Sequence, residues 1–324
     1  DEERGVLLWK AVPFASPPVG PLRWKAPVDP VPWTGVLKTQ EPASPCPQFK
    51  TKPSWVATNE IIGSEDCLYL DVYRPATEET NLPVYVWIHG GGNFGGSARQ
   101  YYMEDLAKTA NFVVVVIQFR LSVFGYFTHP ALRAGASRAE ASGNFGLLDQ
   151  IQALRWVQEN IAAFGGNPFN VTIAGESAGG HNVLGLMISP LARGLFHRIV
   201  MQSGGMVSQR VSTIDNHAEA VVRRLLSADP PVSTQQGAHS KSELQSFLRD
   251  VDAKLLLRAH AGGPNAYTVP LGNLIEDGYV IPGPLLTTLH SGNYGKVPII
   301  LGANQSESGS VNTFMQFDDT GMPN

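Results

Sequence analysis

The stretch Val171-Thr-Ile-Ala-Gly-Glu-Ser-Ala-Gly-Gly-His181 decides how the rest of the chain is read. An apolar run, VTIA, ends at Gly175, and a helix-compatible run, GGHNVLGLM, begins two residues after Ser177. Gly175-Glu-Ser-Ala-Gly179 fits G-x-S-x-G, whose meaning depends on a strand before it and a helix after it. The serine of such a turn sits in a strained, tight conformation, so its neighbours two residues away must lack bulk. The turn lifts the hydroxyl out of the sheet and places it at a helix N-terminus. There the Ala178 amide faces any negative charge that forms on a bound group. An ordinary Gly/Ser/Ala turn is the alternative, and the strand–turn–helix context is what favours a nucleophile at Ser177.

Working outward, the same event recurs along the chain: a β-branched run that stops at a distinctive turn or loop. VYVWI (84–88) runs into His89-Gly-Gly-Gly92, and FVVVVIQF (112–119) ends at Arg120. IVMQ (199–202) runs into Ser203-Gly-Gly205, and VPIIL (297–301) into Gly302-Ala-Asn-Gln-Ser-Glu307. Continuous apolar runs of this length suit strands buried on both faces of a largely parallel sheet. Between them, GLLDQIQALRWVQENIAAF keeps helical spacing at Leu147, Leu148, Ile151, Leu154, Val157 and Ile161, and Gly165-Gly166-Asn-Pro168 stops it. Alternating strands and helices predict an open α/β sheet flanked by helices, with ligands beyond the carboxyl ends of the strands. The segments 1–60 and 206–296, richer in Pro, Ser and Gly, read as irregular cover, with one weakly helical stretch at 241–259.

The chain has 324 residues, 43% hydrophobic and 16% charged, which is a globular composition able to bury a large core. Net charge is −4, from 24 basic and 28 acidic residues, with no Lys/Arg block, so nucleic acid is a poor partner. No apolar run approaches the ~18 residues of a membrane span. The N-terminal DEERGVLLWKAVPF lacks the pattern of a signal peptide, a segment that processing removes. Two cysteines, Cys46 and Cys67, do not define a disulfide framework by count, and two buried thiols are the plain expectation.

The His89-Gly90-Gly91-Gly92 run is a second half-specific motif. An HGGG-type loop after a strand brings backbone amides to an oxyanion in lipases and esterases, and glycine lets that backbone approach without a Cβ in the way. Further matches are dense: VPFASPPVGPLRW (12–24), SEDCLYLDVY (64–73), PVYVWIHGGGNFGG (83–96), GNFGLLDQIQALRWVQENIAAFGGNP (143–168), GESAGG and MQSGG (201–205). With these the chain resembles the type B carboxylesterase/cholinesterase family of α/β hydrolases. The resemblance implies an α/β-hydrolase fold with a mostly parallel central sheet, and a serine carboxylic-ester hydrolase acting on a small-molecule ester. It implies Ser177 as the acyl-forming nucleophile and Gly91, Gly92 and Ala178 as the oxyanion hole. It also implies a Cys46–Cys67 disulfide, hence a secreted, extracellular protein, closing a loop, KTKPSWVATNE, near the mouth of the gorge. Trp55 in that loop is expected to anchor it rather than to wall the substrate. No metal or organic cofactor is implied, and oligomeric state stays open. The rival class is a non-catalytic, neuroligin-like binding protein on the same fold; retention of Ser177 and Glu307 argues against it. An enzyme for larger lipids or amides also remains open.

By resemblance the acid is Glu307, in a segment similar to G-x-N-x-D-E-G, with Ser306 and Ser308 replacing the usual Asp and Gly. Its role would be to accept the imidazole N–H and stabilise the imidazolium. Ser203 matches a family serine that supports the acid, a turn serine being the alternative. Ile151 and Asn167 replace a family arginine and aspartate together, which strands no charge. Asn170 and Asn304 open glycosylation sequons, one at a buried strand and one beside the acid, and neither is expected to carry sugar. The base is the gap. The triad order is Ser, Asp/Glu, His, yet all eight histidines (89, 129, 181, 197, 217, 239, 260 and 290) precede Glu307. His181 lies in the helix behind the elbow and His290 in a loop before the acid's strand, so neither is expected to serve. The expectation is that residues 1–324 are the N-terminal portion of one longer α/β-hydrolase domain. The sheet would be incomplete at its C-terminal side, and the remainder of the enzyme would supply the histidine.

Overall fold

A computed structural model of the chain describes residues 5–51, 57–227, 240–262, 272–305 and 307. The strands are β1 (Val6–Pro13), β2 (Gln48–Thr51), β3 (Ala57–Ile62), β4 (Tyr69–Pro75), β5 (Leu82–Ile88), β6 (Val113–Ile117), β7 (Gly166–Glu176), β8 (Arg198–Gln202), β9 (Ser208–Arg210), β10 (Leu274–Glu276) and β11 (Ile299–Gly302). Seven of them form one sheet in the order β1-β4-β6-β5-β7-β8-β11. Every pair from β6 to β11 is parallel, and β4 and β1 add an antiparallel edge. The expected mostly parallel sheet is present, and the fold is that of an α/β hydrolase.

Alternation along the strands feeds two cores. Val84, Val86 and Ile88 of β5 face the larger one with Val113, Val115 and Ile117 of β6, and Val171 and Ile173 of β7. After the one-turn helices α2 (Ser122–Gly125), α3 (Pro130–Arg133) and α4 (Arg138–Ala141), two longer ones cover that face, α5 (Phe145–Asn160) and α6 (Ala178–Ile188). The opposite face gathers Trp87, Val114, Val116 and Ala174 under Ala107 of α1 (Glu104–Ala110), with Tyr85 and Phe112 stacked at 6.2 Å. All five residues of β6 are wholly buried, which explains its unbroken β-branched run.

The helix expected over 146–164 is α5 followed by a 3-10 turn, Ile161–Phe164, capped by Gly165 in the left-handed region at φ +80°. Four expectations need correction. The segment 1–60 is not all irregular, because β1 pairs with β4 along the sheet edge, where partial exposure blurs its pattern. The segment 206–296 holds a 16-residue helix, α7 (Val211–Leu226), burying Ile214, Ala218, Val221, Val222 and Leu225 at helical spacing. The remaining helices there are α8 (Lys241–Asp250), α9 (Ala253–Ala261) and α10 (Leu285–His290). The single helical stretch at 241–259 is thus two helices, divided where Asp252 turns out of helical geometry. Its carboxylate then caps α9, accepting from Lys254 N and Leu255 N at 3.0 Å each. Finally, β11 is not buried on both faces: Ile299, Ile300 and Leu301 are 41%, 66% and 69% exposed.

One charge pair ties sheet to helix. Arg120, just past β6, reaches Asp149 of α5 by its backbone N–H, Nε and Nη2 at 2.9, 2.8 and 2.6 Å, with both side chains buried. Asp149→Ala leaves the guanidinium buried without its counter-ion and is expected to destabilise the protein by about 3–5 kcal/mol. Urea unfolding of the variant against wild type measures this, and a loss below about 1 kcal/mol contradicts the account.

Candidate functional site

At the carboxyl end of β7 the backbone of Ser177 takes φ +56°, ψ −121°, between the strand and the first residue of α6. A non-glycine residue is held there only where its surroundings over-determine it. Ser177 N–H donates to Gln202 O at 2.9 Å, and Ser177 O accepts from His181 N–H at 3.0 Å as the first bond of α6. The flanking glycines are required by contact. A Cβ on Gly175 would lie 2.4 Å from the carbonyl carbon of Gly179, and one on Gly179 would lie 2.1 Å from Ile88 O. Ser177 is exposed, and the Ala178 amide opens α6 where the helix dipole is positive.

The glycine run after β5 lies beside it. A Cβ on Gly90 would be 3.4 Å from the Ser177 Cβ and 3.2 Å from Glu176 Oε2. Gly91 has φ +101°, and its carbonyl accepts from Phe94 N–H and Gly95 N–H at 3.1 and 3.0 Å, closing a tight turn. The Gly91 and Gly92 N–H groups donate to no described acceptor. His89 is an anchor: buried, stacked on Phe119 at 4.5 Å, its Nδ1–H donating to Gly90 O at 2.9 Å. Burial pushes its pKa down to about 4, so the ring is neutral at pH 7.

Gln48 is a residue the sequence reasoning passed over. Its amide clasps Gly96, donating to Gly96 O at 2.9 Å and accepting from Gly96 N–H at 2.9 Å, and it donates to Cys46 O at 3.0 Å. The glycine loop is thereby tied to the Cys46 segment. Cys46 and Cys67 are joined, 5.1 Å apart at Cα and both buried, so the disulfide implied by resemblance is present and the plain expectation of two thiols is not met. Trp55 lies outside the described residues, with the rest of 52–56; the flanking parts of the loop form β2 and β3.

On the far side of the elbow, Glu307 Oε1 accepts from the Ser203 hydroxyl and from Asn304 N–H, the latter at 2.8 Å. The Ser203 hydrogen bond, then the Asn304 amide, hold this carboxyl below the ordinary glutamate range. Ser203 itself is fixed at φ +49° by its N–H bond to Gly302 O, 2.8 Å, across β8 and β11. Glu176 is pushed the other way, first by desolvation and then by the charge of Glu307. Two of the positions that depart from the family pattern, Ile151 and Asn167, do separate jobs: one is core, and the other accepts from Phe169 N–H at 2.8 Å. Asn170, the first sequon, is only half-buried and accepts from Arg198 at 2.5 Å, while Asn304 is exposed.

Among the described residues no histidine completes the set. Six of the eight are engaged elsewhere: His89 with Gly90, His129 with Glu219, His181 with Gly205, His197 with Val171, and His217 with His260. His239 lies outside the described residues, and His290 is exposed at the end of α10. Among the described residues no group of three or more His, Cys, Asp or Glu is placed to hold a metal ion, and no helix is long and apolar enough to cross a membrane.

A strand–serine–helix elbow with a glycine loop beside it, on a mostly parallel sheet, defines the α/β-hydrolase class. The carboxylesterase family model matches residues 1–323, and the chain belongs to the carboxylesterase family. It is 38% identical to "Pyrethroid hydrolase Ces2e" of Rattus norvegicus, covering 99% of this chain and 54% of that protein. It is likewise 38% identical to "Cocaine esterase" of Homo sapiens, covering 94% and 53%. A solved structure, "PNB esterase", aligns with TM-score 0.80 at 35% identity over 97% of this chain and 62% of that one. The chain spans about half the length of the curated relatives it matches.

Ser203→Ala removes the first cause of the low Glu307 pKa, so the carboxyl should titrate at higher pH than in wild type. The hydrogen bond's stabilisation is present above the ordinary glutamate pKa and is lost as pH falls through the depressed one. Following the Glu307 side-chain ¹³C shift against pH tests this, and coincident titrations would remove Ser203 as the partner.

Proposed function

We propose that the chain carries the nucleophile, oxyanion hole and acid of a serine carboxylic-ester hydrolase acting on small-molecule esters. The observation that carries this reading is Ser177, held exposed at positive φ on the N-terminus of α6 beside a loop with two unengaged glycine amides. Ser177 Oγ attacks the ester carbonyl carbon as its proton passes to a histidine. The carbonyl π pair moves onto oxygen, which the Gly91, Gly92 and Ala178 amides receive. Collapse expels the alcohol, protonated by the same histidine, and leaves an acyl-serine that water hydrolyses by the reverse sequence. Glu307 accepts the other imidazole N–H and stabilises the cation.

The histidine is proposed to come from polypeptide outside residues 1–324. Supporting this are the engagements of the histidines described above and the length of the relatives, nearly twice the matched span. The same polypeptide would cover the apolar hollow of about 500 Å³ between α6, β8, α10 and β11, lined by Met187, Met201, Leu289 and Leu301. The buried Cys46–Cys67 bridge supports an oxidising, secretory location.

In the enzyme with its histidine-bearing segment, Ser177→Ala should fold and lose on the order of 10⁶ in kcat, since a cooperative triad loses nearly everything with its nucleophile. Glu307→Gln should lose on the order of 10⁴, because an amide can bond the ring but cannot stabilise its cation. Both are read with a p-nitrophenyl ester and a fluorophosphonate label. A Ser177→Ala protein that labels and turns over like wild type removes Ser177 from the chemistry.

A further inference from the structure

The proposed oxyanion hole is assembled from two pieces of chain far apart in sequence. Gly91 and Gly92 follow β5, whereas Ala178 opens α6. Backbone amides act as a hole only if both pieces stay in register to within a fraction of an ångström. The question is what fixes them, beyond the sheet from which both depart.

Immediately after Gly92, Asn93 turns at φ +55° and points its side chain into the protein, where it is 2% exposed. It meets Asn182, on the second turn of α6 and wholly buried. The two amides bond reciprocally. Asn93 Nδ2 donates to Asn182 Oδ1 at 3.1 Å, and Asn182 Nδ2 donates to Asn93 Oδ1 at 2.8 Å. A second proton of Asn93 Nδ2 goes to Gly272 O at 2.7 Å, which fixes which end of the amide is nitrogen, and Tyr126 Oη donates to Asn182 Oδ1 at 3.2 Å. The main chain is held as well: Asn93 O accepts from Ser122 N–H at 2.7 Å, and Gly92 O accepts from Gly272 N–H at 3.1 Å. With their carbonyls occupied, the loop's peptide planes cannot rotate freely.

We infer that the buried Asn93–Asn182 amide pair is the positioning device that sets the glycine loop against the helix bearing Ser177 and Ala178. The inference rests on the oxyanion role proposed for Gly91, Gly92 and Ala178. Neither side chain touches the substrate; each acts through backbone amides. A dry, reciprocal pair suits this because it has one geometry: two donors and two acceptors face each other, and sliding either element breaks both bonds at once. An apolar pair of equal volume would fill the space but would tolerate slippage.

The test uses the enzyme with its complete catalytic domain. Asn93→Ala, Asn182→Ala and the double variant are compared with wild type for melting temperature, kcat and KM on a p-nitrophenyl ester. Inhibition by an alkyl trifluoromethyl ketone, whose serine adduct places an oxyanion in the hole, is measured alongside. Each single variant should lose about 10- to 100-fold in kcat with KM within threefold, in line with disturbed oxyanion donors. Affinity for the ketone should fall by a similar factor, and the double variant should be no worse than about threefold below the poorer single, since either change dissolves the pair. Tyr126→Phe, which leaves the reciprocal bonds intact, should stay within about threefold of wild type by the same measure. If an alanine variant does not fold, Asn182→Ser is measured in its place and must show the same kcat-selective loss. Unchanged kcat and ketone affinity with a lowered melting temperature would make the pair merely structural and overturn the inference. Ser177→Ala, run in parallel, separates the two readings. If it stays active, the proposed function fails; if it is dead while the asparagine variants are unimpaired, only the positioning role fails.

Discussion

The contact of Gly179 with the end of β5 is the constraint on which the rest of the site depends. Any side chain at Gly179 would strike Ile88 O, so α6 can rise from β7 only at that closeness because no Cβ intervenes. The same closeness forces Ser177 into positive φ, a conformation costing of order 1–3 kcal/mol for a non-glycine residue. That strain is offset by backbone bonds on both sides, to Gln202 of β8 and from His181 of α6. Three strands and a helix thus agree on the position of one hydroxyl. Glycine at 175 and 179 is therefore a packing requirement, and a chain keeping the serine but not the glycines would have no elbow.

Around that hydroxyl the electrostatics are divided. Two sets of donors lie at the start of α6 and in the unengaged amides of the glycine loop. Two carboxyls stand apart in character: Glu176, beside Gly90, is pushed up by desolvation and by the charge of Glu307, whereas Glu307 is pulled down by its bonds from Ser203 and Asn304. In the proposed mechanism, a carboxylate held in its charged form is what a transient imidazolium requires, and helix-start and loop amides are what an oxyanion requires.

What the sequence made legible was local. The three central strands, read as ending at 88, 119 and 174 and found to end at 88, 117 and 176, the helix behind the elbow and the glycine turns are written in runs of a few residues, and steric rules for those runs are strong. Where exposure is partial the pattern fades, so β1 and β11 were misjudged in opposite directions: one missed, the other expected to be buried. The spacing of Ile214, Ala218, Val221, Val222 and Leu225 was present and simply outweighed by the polar composition around it. Gln48, Asn93 and Asn182 could not be found that way. Their meaning lies in bonds spanning 48 and 89 residues of sequence, and a lone amide carries no local signature of its partner.

These long-range amides also show how the site divides its labour. The donors that would receive an oxyanion are fixed by covalent and buried links within the described chain. The disulfide holds the Cys46 segment, Gln48 joins that segment to Gly96, and Asn93 joins the loop to α6. Glu307, the proposed acid, is fixed differently, by a hydroxyl and an amide beside the exposed β11. A hole that must hold an anion at sub-ångström tolerance benefits from dry, reciprocal bonds that slip only by breaking together. A carboxylate that orients a ring needs less, because the ring can follow it through one shared hydrogen bond. The rigid half of the proposed machinery is accordingly the half built wholly from residues 1–324. The more open half is the one that the histidine proposed from further polypeptide would have to meet.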